Sequence, residues 1–398
     1  MDPTRNPYSP GAGSPPPALV GRDAELETIR IAIERLRLGR FAKSVILTGL
    51  RGVGKTVLLQ EFRRLGQSRN WVCQPLEASE GMRFPQAMAE LVRKVLLRLS
   101  PAQNLADRAK RAFGVLKSFQ VRWNLPDGGD LTVGLDPVPG RADSGLLDED
   151  LAGLFSEVGE AARERGKGVL VTVDEVQYLK RKDLAALIVG LHQVNQEQLP
   201  FLVVGAGLPS VPALAGEAKS YAERLFNFRS IDSLDGDDAR AALVKPADEE
   251  GVVWQPDALD RIVDETQGYP YFLQEFGKQV WDLADGPVEI TATDVDSAVT
   301  TAVDELDTGF FRVRIDRTTD SEREYLVAMA SLGEGPYASG RVAATMGRDT
   351  PGVGPVRDKL IKKGLCYSPR WGEIDFTVPL FDDFVRRRLC APGDVRSS

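Results

Sequence analysis

The sequence is poor in cysteine and has no long apolar run, and each scarcity excludes a class of protein. Its three cysteines, Cys73, Cys366 and Cys390, follow no metal-ligand spacing and are too few for a disulfide framework. No apolar run approaches the roughly 18 residues that a membrane-spanning helix needs. Residues 1–17 lack the apolar stretch of a signal peptide. We therefore expect a cytoplasmic protein with no membrane partner.

The chain is too long for one hydrophobic core. It has 398 residues, of which 42% are hydrophobic and 27% charged, and single domains usually stop growing at about 250–300 residues. Its net charge is −8, yet residues 310–390 hold 14 Lys and Arg against 11 Asp and Glu. We expect two or three domains, and an anionic polymer would meet the C-terminal one.

Short apolar runs alternate with helical stretches in the first half of the chain. A Pro-rich segment, residues 1–18, is expected to be a flexible arm that drapes over the next domain or stays mobile. Near-continuous Val, Ile and Leu separated by helices then indicate a parallel sheet covered on both faces. Residues 19–234 are therefore predicted to be an α/β domain, and residues 235–308, which are helical in pattern throughout, an all-α domain. The strand-like runs are 44–48, 71–73, 168–173, 201–204 and 226–228.

One segment of the α/β domain departs from this alternation. Residues 118–125 and 131–135 alternate apolar and polar side chains on either side of a turn that contains Gly128 and Gly129. We predict a β-hairpin insertion over residues 115–137, either as an interaction element facing solvent or as a lid on the edge of the sheet.

Residues 309–398 have a different rhythm. Short helical patterns starting near Ser321, Ser339 and Val353 are followed by two strand-like runs that a turn containing Pro369 and Gly372 joins. Three helices and a two-stranded wing predict a winged-helix domain.

The octet from Gly49 to Thr56 fits the P-loop pattern in full, between a predicted strand and a predicted helix. Its glycines allow backbone N–H groups to turn towards phosphate oxygens at the start of the helix. Lys55 would reach the β- and γ-phosphates of ATP, and the Thr56 hydroxyl would bind Mg²⁺. The predicted nucleotide contacts in and beside the loop are Gly49, Gly52, Val53, Gly54, Lys55, Thr56 and Val57.

A second acidic element follows the buried run 169–173. Asp174 and Glu175 stand at its carboxyl end, where ligands bind in open α/β sheets. We predict Asp174 as the Mg²⁺ partner and Glu175 as the general base that activates water. This pair indicates hydrolysis of ATP to ADP in addition to binding.

Two further positions concern the γ-phosphate. The fourth strand ends in Gly205, Ala206 and Gly207, which supply no polar side chain for sensing the phosphate. Arg224 precedes the fifth strand, where it could neutralise charge on a neighbouring subunit's nucleotide or pair with Glu223. The first alternative implies a homo-oligomer or protein partner.

Together these residues resemble the AAA+ ATPases, and within them the branch of origin-recognition and cell-division-control initiators and STAND signalling ATPases. The marks are the stretch 20–26, the P-loop, Asp174 with Glu175, the run 223–226, the lid stretch 268–274 and the winged helix. The resemblance implies that Gly21, Arg22 and Pro270 contact the nucleotide. The Gly-Tyr-Pro element is more similar to the STAND form of the lid than to the initiator form.

The third helix of the predicted winged helix and the wing tip are basic. Their cations, which we predict to contact duplex DNA, are Arg357, Lys359, Lys362, Lys363 and Arg370. A winged helix also serves as a protein-docking module. The sequence therefore favours an ATP-controlled, DNA-binding switch, and the alternative is a STAND-like signalling or defence ATPase whose winged helix docks on protein partners or on its own chain.

Overall fold

The computed structural model describes residues 1–11, 13–100, 107–126 and 136–390. The chain divides into two compact units. The core unit comprises Arg22–Gly49 and Lys55–Ile231, and the accessory unit comprises Met1–Gly21, Leu50–Gly54 and Asp232–Ser398. The phosphate-binding loop is thus shared in sequence, because its middle five residues group with the accessory unit.

The core unit contains a five-stranded parallel sheet in the order β2-β3-β4-β1-β5. Every residue of β1 and β4 is buried, which explains the unbroken apolar runs from which a doubly covered sheet was predicted. The prediction of a parallel α/β domain is confirmed. The strands are β1 (Ser44–Thr48), β2 (Val72–Glu77), β3 (Val169–Asp174), β4 (Phe201–Gly207) and β5 (Phe226–Ser230).

In the described residues, eight helices precede or connect these strands, and the last six of them bury apolar residues in one core. They are α1 (Asp23–Arg37), α2 (Lys55–Ser68), α3 (Phe84–Leu99), α4 (Asp107–Arg122), α5 (Leu147–Glu164), α6 (Arg181–Gln196), α7 (Val211–Ala218) and α8 (Ala222–Leu225). A short 3-10 turn, Val176–Tyr178, follows β3.

The predicted β-hairpin at residues 115–137 is wrong in its first half, because residues 115–122 belong to α4. Ala112, Phe113, Leu116 and Phe119 recur at helical spacing and are buried. The alternation read as a strand was the end of a helix that is covered on more than one side. The second predicted strand lies outside the described residues.

The accessory unit is mainly helical over residues 236–315. Its helices are α9 (Gly236–Glu249), α10 (Pro256–Thr266), α11 (Pro270–Leu283), α12 (Ala292–Glu305) and α13 (Arg312–Ile315), with a π-helical segment, Leu306–Phe311, before α13. Two short strands, β6 (Val253–Trp254) and β7 (Glu289–Ile290), pair in parallel. In the described part of the chain, no helix is both long enough and apolar enough to cross a bilayer.

The N-terminal segment packs against helices of the accessory unit. Its described residues thus fit the alternative of an arm that drapes over a domain, although that domain is the helical one and not the adjoining α/β domain. Tyr8 is buried, and its hydroxyl donates to the carbonyl of Leu243 at 2.6 Å and accepts from Trp254 Nε1 at 2.9 Å. The Met1 ammonium donates to the carbonyl of Ala284 at 2.7 Å. One large aromatic residue offsets the Pro-rich composition, because its burial stabilises the segment against the helices.

The C-terminal part has the predicted order of three helices and two antiparallel strands. They are α14 (Asp320–Ala330), α15 (Ser339–Thr345), α16 (Thr350–Lys362), β9 (Cys366–Tyr367) and β10 (Glu373–Phe376). A strand that sequence reasoning missed, β8 (Tyr337–Ala338), pairs with β10, and α17 (Phe381–Leu389) follows. A capping box between Thr319 and Glu322 fixes the start of α14.

Candidate functional site

The phosphate-binding loop has the backbone geometry that its glycines predict. Gly52 and Gly54 have φ values of 95° and 94°, in the left-handed region that favours glycine. The N–H of Gly49 donates to the carbonyl of Gly207 at 3.1 Å, which ties the start of the loop to the end of β4. Lys55 Nζ donates to the carbonyl of Gly49 at 2.8 Å, which holds its ammonium at the first residue of the loop.

The end of β3 meets the start of α2 through one hydrogen bond. The Thr56 hydroxyl donates to Asp174 Oδ2 at 2.6 Å, although the two residues are 118 positions apart. A hydroxyl and a carboxylate oxygen side by side are ligands that Mg²⁺ prefers. Within the described ranges, no group of three or more Asp, Glu, His or Cys side chains could hold a metal ion. This pair therefore fits an ion that takes its other ligands from substrate phosphates and water.

Glu175 has an unusual backbone for a non-glycine residue. Its φ of 54° and ψ of 42° are left-handed, and such strained positions cluster at functional sites. Its N–H donates to Asp174 Oδ1 at 2.8 Å, which turns the chain sharply after β3. Its carboxylate accepts a short hydrogen bond from the side-chain amide of Gln177. The structure thus brings Thr56, Asp174 and Glu175 together at the carboxyl end of β3.

Arg224 lies on α8, one residue from β5, and is exposed. Among the described residues it forms no salt bridge, so the alternative of a pair with Glu223 is not observed. Glu223 itself uses its carbonyl to accept from Lys43 at 3.2 Å. The guanidinium of Arg224 is therefore available to another molecule.

The loop segment Leu50–Gly54 has close contacts within the accessory unit. The N–H of Arg51 donates to the carbonyl of Thr377 at 3.1 Å, and the hydroxyl of Tyr269 donates to the carbonyl of Arg51. A Cβ added at Gly52 would lie 3.0 Å from Tyr269 Cε1 and 3.1 Å from Tyr271 Cβ. The segment is thus held by the residue that precedes α11 and by the residue that follows β10.

Sequence reasoning missed a cation in this environment, Arg314 on α13. Its Nη1 donates to the carbonyl of Phe310 at 2.6 Å, and its guanidinium lies 3.7 Å from the centroid of the Phe310 ring. Burial lowers the pKa of Arg314 to about 10, and the charge of Arg51 contributes in the same direction. The side chain stays protonated at neutral pH. The sequence offered only an ordinary Arg-Val-Arg run as a signal.

The nucleotide contacts implied by family resemblance keep the status of predictions. Gly21 has a φ of 65°, in the left-handed region that favours glycine, and an added Cβ would meet the side chain of Asp238. Arg22 is the N-cap residue of α1. Pro270 begins α11, where its missing N–H costs no helical hydrogen bond.

The five predicted DNA-contacting cations fall into two groups. Lys359 and Lys362 on α16 and Arg370 in the turn between β9 and β10 are exposed, and their side chains form no hydrogen bond or salt bridge within the described residues. Trp371, beside Arg370, is fully exposed at 100%.

The other two cations hold the C-terminal part together. Lys363 Nζ donates to Glu322 Oε2 at 2.6 Å and to the carbonyl of Arg317 at 2.7 Å, and Glu322 is only 1% exposed. Arg357 donates to Ser368 Oγ at 3.0 Å and to the carbonyl of Glu373 at 3.2 Å. Both side chains form hydrogen bonds within the chain, so we leave them out of the proposed DNA-contacting set.

Two family matches cover separate parts of the chain. Residues 18–204 match the family described as AAA ATPase domain, and residues 308–385 match a domain of unknown function, DUF8462. No curated protein matches this chain.

The Walker-type ATPase PABY2304 of Pyrococcus abyssi has a similar fold, with a TM-score of 0.56 and 16% identity over 92% of this chain and 96% of that one. Two other solved structures have lower scores. Aeropyrum pernix ORC1 in complex with DNA has a TM-score of 0.44 and 14% identity, covering 94% of each chain. The Thermotoga maritima RuvB branch migration motor has 0.43 and 14%, covering 94% and 96%.

The site consists of a strand, a glycine-rich loop and a helix, and the helix residue Thr56 donates a hydrogen bond to Asp174 at the end of β3. This arrangement defines a P-loop nucleotide hydrolase. The family match adds the particular class. Residues 18–204 match the AAA ATPase domain family, so this part of the chain has the features of a nucleotide-hydrolysing domain.

Proposed function

We propose that this chain is an ATP-hydrolysing molecular switch whose C-terminal part is a winged helix that binds duplex DNA in a nucleotide-dependent way. The observation that carries the DNA part is the exposure of Lys359, Lys362, Arg370 and Trp371. We call these four residues the wing group. A fully exposed tryptophan next to Arg370 in sequence, together with two exposed lysines on α16, fits an anionic partner.

The hydrolytic roles follow from the geometry at the end of β3. Lys55, whose ammonium donates to the carbonyl of Gly49, is proposed to bind the β- and γ-phosphates of the substrate. Glu175 acts as general base on the attacking water, because its carboxylate stands one residue beyond the metal-binding position. Thr56 and Asp174 would hold Mg²⁺, and the ion, when bound, neutralises developing charge on the phosphates.

The general-base role has a direct test. Replacing Glu175 with Gln keeps the size of the side chain and removes the proton acceptor, so turnover should fall to a small residual rate while ATP still binds. ATP affinity is measured with a fluorescent analogue, and turnover by phosphate release. Undiminished phosphate release from Glu175→Gln would overturn the assignment.

DNA binding is tested with a labelled duplex in fluorescence anisotropy, at low salt, with ATP or ADP present. The variant Lys359→Glu with Lys362→Glu should abolish the shift, because it places negative charge against phosphates. Arg108 and Lys110, exposed on α4 in the core unit, provide a control with the same charge change. The proposal fails if wild type gives no shift, or if the control pair loses binding equally.

A second candidate function rests on a different observation. The hydrogen bonds from Arg51 to Thr377 and from Tyr269 to Arg51 hold the loop segment Leu50–Gly54 within the accessory unit. This favours the STAND-like alternative, in which the winged helix docks on its own chain. Opening would then have to break these bonds before nucleotide is exchanged.

Tyr269→Phe tests this candidate, because it removes only the hydroxyl that donates to the loop. Loss of about 1 kcal/mol of hydrogen bonding corresponds to roughly fivefold faster release of labelled ADP. Tyr271→Phe is the matched control, since the Tyr271 hydroxyl forms no hydrogen bond among the described residues and its ring stacks on Phe310 at 4.8 Å. Equal release rates in wild type and Tyr269→Phe would contradict the closed-state candidate.

A further inference from the structure

We infer that Gln177 is a positioning residue for hydrolysis, which holds the Glu175 carboxylate and fills the place of the side chain that β4 lacks. The inference rests on the proposed role of Glu175 as general base. It concerns the core unit alone.

The amide of Gln177 joins two strand ends. Its Nε2 donates to Glu175 Oε2, just beyond β3. Its Oε1 accepts from the N–H of Leu208 at 3.2 Å, just beyond β4. Because β3 and β4 are neighbours in the sheet, a single side chain connects the proposed base to the position where a phosphate-sensing residue would stand.

The glycine at the end of β4 makes room for this amide. A Cβ added at Gly207 would lie 2.7 Å from Gln177 Oε1 and 2.6 Å from Val211 Cγ2. Any larger residue at this position would displace Gln177. The run of small residues at 205–207 predicted that no phosphate-sensing side chain is present there. The same small residues leave the space that the side chain of Gln177 occupies.

The arrangement requires glutamine in a single orientation. The Leu208 N–H can only donate, so the Gln177 oxygen must face it, and the amide N–H groups must face Glu175. A glutamate at 177 could not donate to Glu175. One carboxylate oxygen of Glu175 is therefore fixed by Gln177, and the direction of the carboxylate is set before the substrate arrives, which lowers the reorganisation needed in the transition state.

The test compares Gln177→Ala and the nearly isosteric Gln177→Glu with wild type. Misplacement of a catalytic group by about 1 Å costs up to 100-fold, so we expect kcat to fall roughly 10- to 100-fold in both variants. Affinity for a fluorescent ATP analogue should stay within about twofold, because the side chain of Gln177 bonds to Glu175 and Leu208. Gln193→Ala is the matched control, since Gln193 donates to Glu197 at 2.7 Å in the same kind of bond on α6.

A double-mutant cycle separates positioning from a general structural effect. If Gln177 acts only through Glu175, Gln177→Ala should not lower the residual rate of Glu175→Gln any further. A wild-type kcat in Gln177→Ala, or an equal loss in the Glu175→Gln background, would overturn the inference while leaving the base assignment intact. Full turnover in Glu175→Gln would instead contradict the proposed role of Glu175 as general base.

Discussion

The salt dependence of DNA binding gives the sharpest quantitative prediction. Three cations of the wing group, Lys359, Lys362 and Arg370, are exposed and unpaired within the described residues. Each phosphate contact on duplex DNA contributes about −0.9 to the slope of log K against log salt. If all three contact phosphates, they contribute about −2.7 to the slope.

Neutral substitution of two of these cations should remove a defined part of that slope. Lys359→Gln with Lys362→Gln is expected to make the slope less steep by about 1.8. Raising KCl from about 50 to about 200 mM would then weaken the variant about 12-fold less than wild type. The assay is anisotropy of a labelled duplex at a fixed ATP concentration over a KCl series.

Lys363→Gln is the internal control for this experiment. It removes the same charge one position further along the chain, but Lys363 is bound to Glu322 and Arg317. Its slope should equal that of wild type, while its thermal unfolding midpoint falls. An unchanged slope in the double variant, or a reduction of about 0.9 in Lys363→Gln, would refute the reasoning.

Three further predictions follow from the contacts. Lys363→Ala should destabilise the C-terminal part by about 2 kcal/mol. Breaking a fully buried ion pair costs about 3–5 kcal/mol, and the cost is smaller here because Lys363 is a third exposed. An unchanged denaturant midpoint would contradict this prediction. Burial alone raises the pKa of Glu322, but hydrogen bonds from Lys363 and Thr319 outweigh it and lower the pKa. The stabilisation of the fold by the Lys363–Glu322 pair is therefore present above the ordinary pKa of about 4.5 and is lost as pH falls below it. The difference in free energy of unfolding between wild type and Lys363→Ala should therefore become smaller below pH ~4.5. A difference that does not change with pH would show that the Lys363–Glu322 pair does not cause it. If Arg224 acts on a neighbouring subunit, mixing inactive Arg224→Ala with inactive Lys55→Ala should restore phosphate release, with each variant alone as control; no recovery would argue against action between subunits.

The phosphate-binding loop was predictable because its requirements are local. Glycines, a lysine and a threonine in one octet, between a strand and a helix, specify the backbone and the chemistry together. The parallel sheet was predictable for a similar reason, since strands buried on both faces read as unbroken apolar runs.

Local pattern failed where burial was unusual. Residues 115–122 showed short alternation, yet they complete a helix whose buried residues face several neighbours. Residues 1–18 had the composition of an arm that either drapes over a domain or stays mobile, and the hydrogen bonds of Tyr8 to Leu243 and Trp254 decide between the two. In both cases a distant surface decided the outcome.

The sequence by itself determined that this chain has a P-loop, an acidic strand end and a parallel sheet to carry them. Only the tertiary structure decided which other residues form hydrogen bonds around them. Gln177 accepts from Leu208, 31 residues away, and the carbonyl of Arg51 accepts from Tyr269, 218 residues away. Lys363 pairs with Glu322, 41 residues before it. Hydrogen bonds between residues so far apart depend on how strands and helices pack, and no local pattern of residues encodes them.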